Sequence, residues 1–391
     1  MATKEKLGLP VSKFPECASL SKTIREFYLS LFFLTSERKR RKKVIADSGL
    51  FDTAFYRKNY RLNLAGRLFP LRHYVVRGEK RGHFPNPNFH PRAYWWKYLP
   101  DGADESPLCH FIETGKAQGF DCSPPECEFF APEVSPPPPS SDRAVVIHLY
   151  YHDLWEEMEI YLRRIERGYD LFCTIVSHRQ GSYERLRKKI QALKPDAHCY
   201  EFPNHGRDIF PFIHLINMGL LDSYSLIAKL HTKKSVHLSY GDSWRQSLLN
   251  SIIPENAESL WETFLKNDAC LCAVAPGQVK IMLPDGCPNY ARTSELAANL
   301  SLSIKKPIEF PAGSVYLIKP TIVSGLKEIK LSMEDFEGEC GQLDGTTAHA
   351  VERLVGHLCY RGNEEGTALM TIDALTQGRS LQEEKPCSHY S

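Results

Sequence analysis

The 391-residue sequence predicts an α/β protein: a mostly parallel sheet flanked by helices, with a small helical repeat unit ahead of it. Three observations predict this. From about Arg143 onward, apolar runs of strand length alternate with amphipathic stretches, the pattern of parallel βαβ units. Upstream lies the proline-rich "SPPECEFFAPEVSPPPPSSD" (Ser123 to Asp142), which favours extended polyproline geometry and reads as a semi-rigid linker. Ahead of the linker the chain repeats itself. The expected divisions are a basic helical segment (1–47), a tandem-repeat module (48–122), the linker (123–142), the α/β domain (143–372) and a polar, flexible tail (373–391).

In the first unit, "FDTAFYRKNY" (Phe51 to Tyr60) is echoed by "FHPRAYWWKY" (Phe89 to Tyr98), and "PLRHYVVRG" (Pro70 to Gly78) by "PLCHFIETG" (Pro107 to Gly115); Gly82 matches Gly119. Each copy reads as a short helix, a proline turn and a second helix closed by glycine. Two such units bury their apolar faces against each other. His73 and His110 occupy equivalent places, which points to a structural hydrogen bond rather than to a ligand.

The large domain opens with "AVVIHLYY" (Ala144 to Tyr151), continuous enough for a strand buried on both faces. A helix follows from Asp153, the expected N-cap, to Gly168. "DLFCTIVS" (Asp170 to Ser177) is a second strand, "SYERLRKKIQAL" (Ser182 to Leu193) a helix and "AHCYEFP" (Ala197 to Pro203) a third strand. Asp208 to Tyr224 is helical and tolerates its proline in the first turn. "SLIAKLHT" (Ser225 to Thr232) is the fourth strand. In such sheets ligands bind beyond the carboxyl ends of the strands.

Charge and composition exclude several classes. With 49 Lys and Arg against 47 Asp and Glu, the balance does not favour a nucleic-acid partner. The 12 cysteines are scattered. Cys270 and Cys272 alternate along a strand, and Cys122 and Cys127 lack a matching second pair, so no zinc site is expected. No secretory signal opens the chain, and reduced thiols in the cytoplasm are the natural reading. No apolar run has the roughly 20 residues of a spanning helix. "FYLSLFFL" (Phe27 to Leu34) is followed at once by "ERKRRKK" (Glu37 to Lys43). Two readings fit this segment: peripheral contact with an anionic membrane through Phe27 to Lys43, or a helix packed on its neighbour with a solvated basic end.

Four stretches could carry chemistry. "NHGRDIFPF" (Asn204 to Phe212) joins the third strand to a helix: Gly206 allows a tight turn or a close ligand approach, Arg207 offers a planar fork for phosphate or carboxylate, and Asp208 either caps the helix or orients a sugar hydroxyl. In "KLHTKKSVHLSYGDSWR" (Lys229 to Arg245), His231, Lys233 and Lys234 sit at the strand end, facing an anion or forming a solvated loop. Asp242 and Arg245, one helical turn apart, suit an ion pair that holds the loop. "FPAGSVYLIKP" (Phe310 to Pro320) places Gly313 and Ser314 in a small-residue wall or an ordinary turn. "DFEGECGQLDGTTAHAVERL" (Asp335 to Leu354) holds four carboxylates. Asp344 is a general-base candidate or a helix N-cap, with Glu339 in reserve.

In order along the chain, "HGRDIFPF", "KLHTKKS", "GDSWR", "FPAGS" and "DGTTAHAVERL" closely resemble the rhamnan synthesis protein F family, over roughly Ala144 to Gly362. The repeat also looks like an accessory module of bacterial glycan-assembly proteins. The resemblance implies a GT-A-like nucleotide-binding sheet. It implies transfer of a sugar, rhamnose or another hexose, from a nucleotide-sugar donor to a growing surface polysaccharide such as O-antigen, capsule or rhamnan. It also implies work at the inner face of the membrane on a lipid-linked or polymeric glycan acceptor, beside other assembly enzymes. GT-A strands commonly end in an acidic pair that holds a metal. Here the comparable strand ends in "HTK", so Arg207, His231, Lys233 and Lys234 are expected to neutralise the donor diphosphate, with no metal and no cofactor. Asp344, then Glu339, matches the base of inverting enzymes. Gly206, Asp208, Asp242, Arg245, Gly313 and Ser314 would line the donor and acceptor pocket. A non-catalytic glycan-binding or assembly protein is the second reading, and a sugar-phosphate transferase, disfavoured by the lack of a glycine-rich Walker loop, the third.

Overall fold

A computed structural model describes residues 35–60, 62–79, 82–100, 105–122, 138–178, 181–232, 234, 241–282, 289–302, 308–339, 342, 344–361 and 368–377. Phe27 to Leu34, Lys233 and most of the expected linker and tail lie outside them.

The helical unit begins with α1 (Ser36–Ser48), whose Ile45 is buried in its core. The first copy of the repeat follows as α2 (Thr53–Asn59), α3 (Leu64–Leu68) and α4 (Pro70–His73), which runs on as a π-helical turn through Gly78. The second copy is α5 (Pro91–Tyr98) and α6 (Pro107–His110), extended in the same way through Gly115. The copies share one internal logic. Tyr56 Oη meets His73 Nδ1 at 2.9 Å, and Tyr94 Oη meets His110 Nδ1 at 2.8 Å. The structural role expected for both histidines is therefore met by a buried tyrosine. A Cβ on Gly78 or Gly115 would lie 2.1 Å from the matching tyrosine hydroxyl, which explains why glycine closes each copy. His83 stacks on Tyr60 with ring centroids 3.8 Å apart, and Phe120 stacks on Tyr98 at 4.1 Å.

The large domain carries a seven-stranded sheet in the order β3-β2-β1-β4-β8-β5-β9. Its strands are β1 (Arg143–Leu149), β2 (Asp170–Val176), β3 (His198–Phe202), β4 (Leu226–His231), β5 (Cys272–Val274), β8 (Tyr316–Ile318) and β9 (Leu369–Thr371). β1 to β4 are mutually parallel, as the alternating pattern predicts. β8 runs antiparallel to both β4 and β5, so its first residues lie beside the carboxyl end of β4. A separate hairpin pairs β6 (Val279–Met282) with β7 (Ile308–Pro311).

Period-two alternation gives each sheet face its own core. Ala144, Val146, Phe172 and Ile227 pack under α9 (Ile209–Asn217), α12 (Tyr290–Asn299), α13 (Pro320–Glu328) and α14 (Thr347–Cys359). Val145, Ile147, Leu171, Ala228 and Leu230 pack under α7 (Trp155–Leu162), α8 (Ser182–Leu193), α10 (Gly241–Ile252), α11 (Ala257–Lys266) and α15 (Ile372–Gln377). α7 is shorter than its sequence suggests. Asp153 does not cap it but lies in the preceding 3-10 turn, with its carboxylate on Lys234 Nζ, and the helix ends at Leu162, ahead of Gly168.

Gly115→Ala should destabilise the helical unit by about 1–3 kcal/mol, the usual effect of overpacking a filled core. Adding Tyr94→Phe should recover part of the loss, because the clash is with the hydroxyl. Urea titration of the full chain checks both; an unchanged midpoint in the single variant contradicts the packing described.

Candidate functional site

Counting by two along the inner face, the apolar pattern gives way to polar groups at the carboxyl ends of the strands. Ala144 and Val146 lead to His148, Phe172 to Thr174, and Ile227 to Lys229 and His231. Register sets His148 beside His231 and Lys229 beside Tyr316. Lys229 is only 1% exposed. Its ammonium contacts the Asp208 carboxylate and donates to Ser314 O at 3.1 Å and Ser314 Oγ at 3.2 Å. The rings of Phe212 and Tyr316 lie 5.4 and 5.5 Å away. Burial alone would raise the Asp208 pKa; Lys229, with His231, outweighs it and holds the carboxyl well below the usual range. Asp208 thus stands at the head of α9 without capping it: its carboxylate is spent on Lys229.

Two turns with left-handed backbone flank this pair. Gly206 and Arg207 have φ of 61° and 58°, and Gly313 and Ser314 have φ of 88° and 58°. At Gly206 a Cβ would stand 2.4 Å from the Cβ of Phe210. His231 Nε2 donates to Gly313 O at 2.8 Å, while Gly313 N–H donates to Glu352 Oε1 at 2.7 Å. The 313–314 turn is therefore held from the sheet and from α14 together. Arg207 lies over the same region, bonded to Gln342 O, with its Nε 3.9 Å from Glu339 Oε2.

α14 supplies a polar stripe. Arg353 donates to Asp344 Oδ1 at 3.1 Å and to His349 O at 2.8 Å, and it also pairs with Glu352 at 3.2 Å. Asn289 Nδ2 donates to the same Asp344 oxygen. His349 Nδ1 meets Thr346 Oγ1 at 2.7 Å. Burial, reinforced by the nearby Arg207 guanidinium, pushes the His349 pKa down to about 3. His148 is likewise held neutral at about 3 by burial, against the pull of Asp208, and His357 at about 4 by burial.

The four carboxylates of the 335–344 stretch divide by role. Asp335 closes a capping box with Ser332. Glu337 caps α14 by accepting from Thr347 N at 2.8 Å and Thr347 Oγ1 at 3.1 Å. Glu339 faces Arg207, and Asp344 faces Arg353 and Asn289. Asp344 is not the N-cap of α14; Thr346 holds that position.

Arg207, Asp208, His231, Gly206, Gly313 and Ser314 are thus brought together, with Glu339 beside Arg207 and Asp344 held by Arg353 of α14. Lys234 is turned to Asp153 and lies 5.2 Å from the Tyr151 ring centroid. Asp242 and Arg245 pair at 2.8 Å, as their spacing suggests, but α10 packs on the opposite sheet face, where Arg245 also forks onto Glu157 at 2.8 and 3.1 Å. Sequence reasoning missed Lys229, His148, His349, Glu352 and Arg353. The last three repeat at helical spacing beside the apolar stripe Ala348, Val351 and Val355, the one signal that could have found them. Two cavities of about 520 and 410 Å³, lined in part by Lys327 and Lys330, involve none of these groups.

The model of the rhamnan synthesis protein F family matches residues 138–363, more than half of the chain. The chain belongs to the rhamnan synthesis protein F family. Two relatives, each described as "Uncharacterized protein WxcX", come from two strains of Xanthomonas campestris pv. campestris. Each is 31% identical over 255 residues, covering 64% of this chain and 36% of the relative. The chain therefore spans about a third of those relatives' length. No solved structure matches it. The rhamnan synthesis protein F region contains the whole strand-end cluster, whereas the two repeat copies precede it. Among the described residues, no helix is long and apolar enough to cross a membrane.

The neutral histidines set a pH dependence. Their folded pKa values of about 3 to 4 lie below the ordinary 6.5, so the unfolded chain binds more protons between those limits. Stability is then full above about pH 6.5 and falls as the pH drops towards 4. Thermal denaturation from pH 7.5 to 4.5 checks this, and His349→Gln should flatten the slope; a melting temperature that is flat over the range contradicts it.

Proposed function

We propose that this chain is a glycosyltransferase with a GT-A-like sheet. It would move a sugar, rhamnose or another hexose, from a nucleotide-sugar donor to a growing bacterial surface polysaccharide. The observation that carries the reading is Arg207 beside Glu339, with neutral His349 close to both Arg207 and Asp344, near the carboxyl ends of a mainly parallel sheet. Family membership supports the polysaccharide context. In this reading Arg207 steadies the leaving diphosphate, His231 and Lys229 hold the turns that shape its cradle, and Asp344 takes the proton of the acceptor hydroxyl as its oxygen attacks the anomeric carbon. Glu339 is the second candidate base. In the sequence, "HTK" from the last residue of β4 onward, in place of an acidic pair, supports a reaction without a divalent metal.

A non-catalytic glycan-binding or assembly role is the second reading. It is favoured by the internal use of cations: Lys229 is committed to Asp208, Lys234 to Asp153 and Arg353 to Asp344.

Calorimetry with dTDP-, UDP- and GDP-sugars separates the two. The transferase reading expects one donor to bind, with Arg207→Ala weakening it by about 10-fold or more, the scale of a lost charge-assisted hydrogen bond. It also expects turnover to survive EDTA. No response to any donor supports the assembly role, and strict manganese or magnesium dependence contradicts the metal-free chemistry.

A further inference from the structure

We infer that the exposed face of α1 is a docking surface for an anionic lipid bilayer, a role separate from the strand-end site. α1 carries six cations in succession from Arg38 to Lys43, and they divide into two sets. Arg40 pairs with Glu37 at 3.0 Å and with Glu113 of the second repeat, and Arg41 pairs with Glu37 at 2.9 Å. These two are spent within the unit, on the side where Val44 and Ile45 pack against its core. Arg38, Lys39, Lys42 and Lys43 have no carboxylate partner among the described residues, and the three lysines are exposed. At 3.6 residues per turn the four fall within about 140° of arc, and at 1.5 Å rise they span about 7.5 Å. That is inside one Debye length at physiological salt, so all four act on the same surface.

A row of four cations fits any polyanion. The sequence favours lipid. "FYLSLFFL" (Phe27 to Leu34) stands directly before α1. Its three leucines and three phenylalanines gain from acyl chains beside a basic helix, and the near-neutral charge of the whole chain disfavours a nucleic acid. The Arg40–Glu113 ion pair and the packing of Val44 and Ile45 hold α1 on the repeat unit, so its basic face presents the whole unit to the bilayer.

The test is sedimentation of the full chain with phosphatidylcholine vesicles containing about one-third phosphatidylglycerol, against pure phosphatidylcholine. Each cation near such a surface contributes about fivefold. Lys39→Gln/Lys42→Gln/Lys43→Gln should therefore lose about 100-fold in partitioning, and raised salt should mimic the loss. Arg40→Gln, which removes a paired charge, should lose no more than about fivefold. Equal binding of the wild type to both vesicle types overturns the inference. So does unchanged binding of the triple variant, or retention by a polyanion such as heparin with none by the vesicles. These outcomes are independent of donor binding.

Discussion

The Lys229–Asp208 ion pair is the constraint around which the site is built. A lysine in the middle of a sheet can stay charged only if an anion accompanies it into the interior. The anion comes from the segment after β3, and the remaining ammonium protons go to Ser314, ahead of β8. One buried charge therefore ties together three parts of the chain that are distant in sequence. The left-handed backbone at Arg207 and Ser314 is costly for residues with a Cβ and persists where surrounding contacts over-determine it. Removing one partner of such a pair typically costs about 3–5 kcal/mol, because the other is left buried and uncompensated.

α14 builds a second layer on that base. Glu352 fixes the amide of Gly313, Arg353 fixes the carboxylate of Asp344, and Glu337 caps the helix that carries both. Helices position side chains more precisely than loops do. Asp344, in the segment before the helix, is thus held by a side chain on a rigid element, while Glu339 lies beside Arg207. In the proposed transferase reading, such preorganisation would place charge where a reacting group develops it, with little reorganisation at the moment of reaction.

Much of the scaffold was legible in the sequence. The strands β1 to β4 follow from their apolar runs, and α8 matches its helical stretch from Ser182 to Leu193. The tandem repeat and its paired histidines follow from self-similarity, and the Asp242–Arg245 pair from helical spacing. What escaped depends on partners far away in the chain. "KLHTKK" reads as charge delivered outward, yet parity along β4 turns Lys229 inward, and its counter-ion lies 21 positions back. The reversed direction of β8, a three-residue strand, leaves no mark in local pattern. Asp153 looks like a cap but is drawn to Lys234. The stripe of His349, Glu352 and Arg353 is indistinguishable in sequence from a solvated face until α14 is packed. The glycine that closes each repeat is required by a tyrosine hydroxyl from another helix.

The most direct measurement is a double-mutant cycle of Asp208→Asn and Lys229→Met, read by urea denaturation of the full chain. The account predicts that each single variant is strongly destabilised, that the double variant is little worse than either, and that the coupling is about 2–4 kcal/mol. Additive losses, with coupling near zero, would contradict the claim that this pair holds the site together.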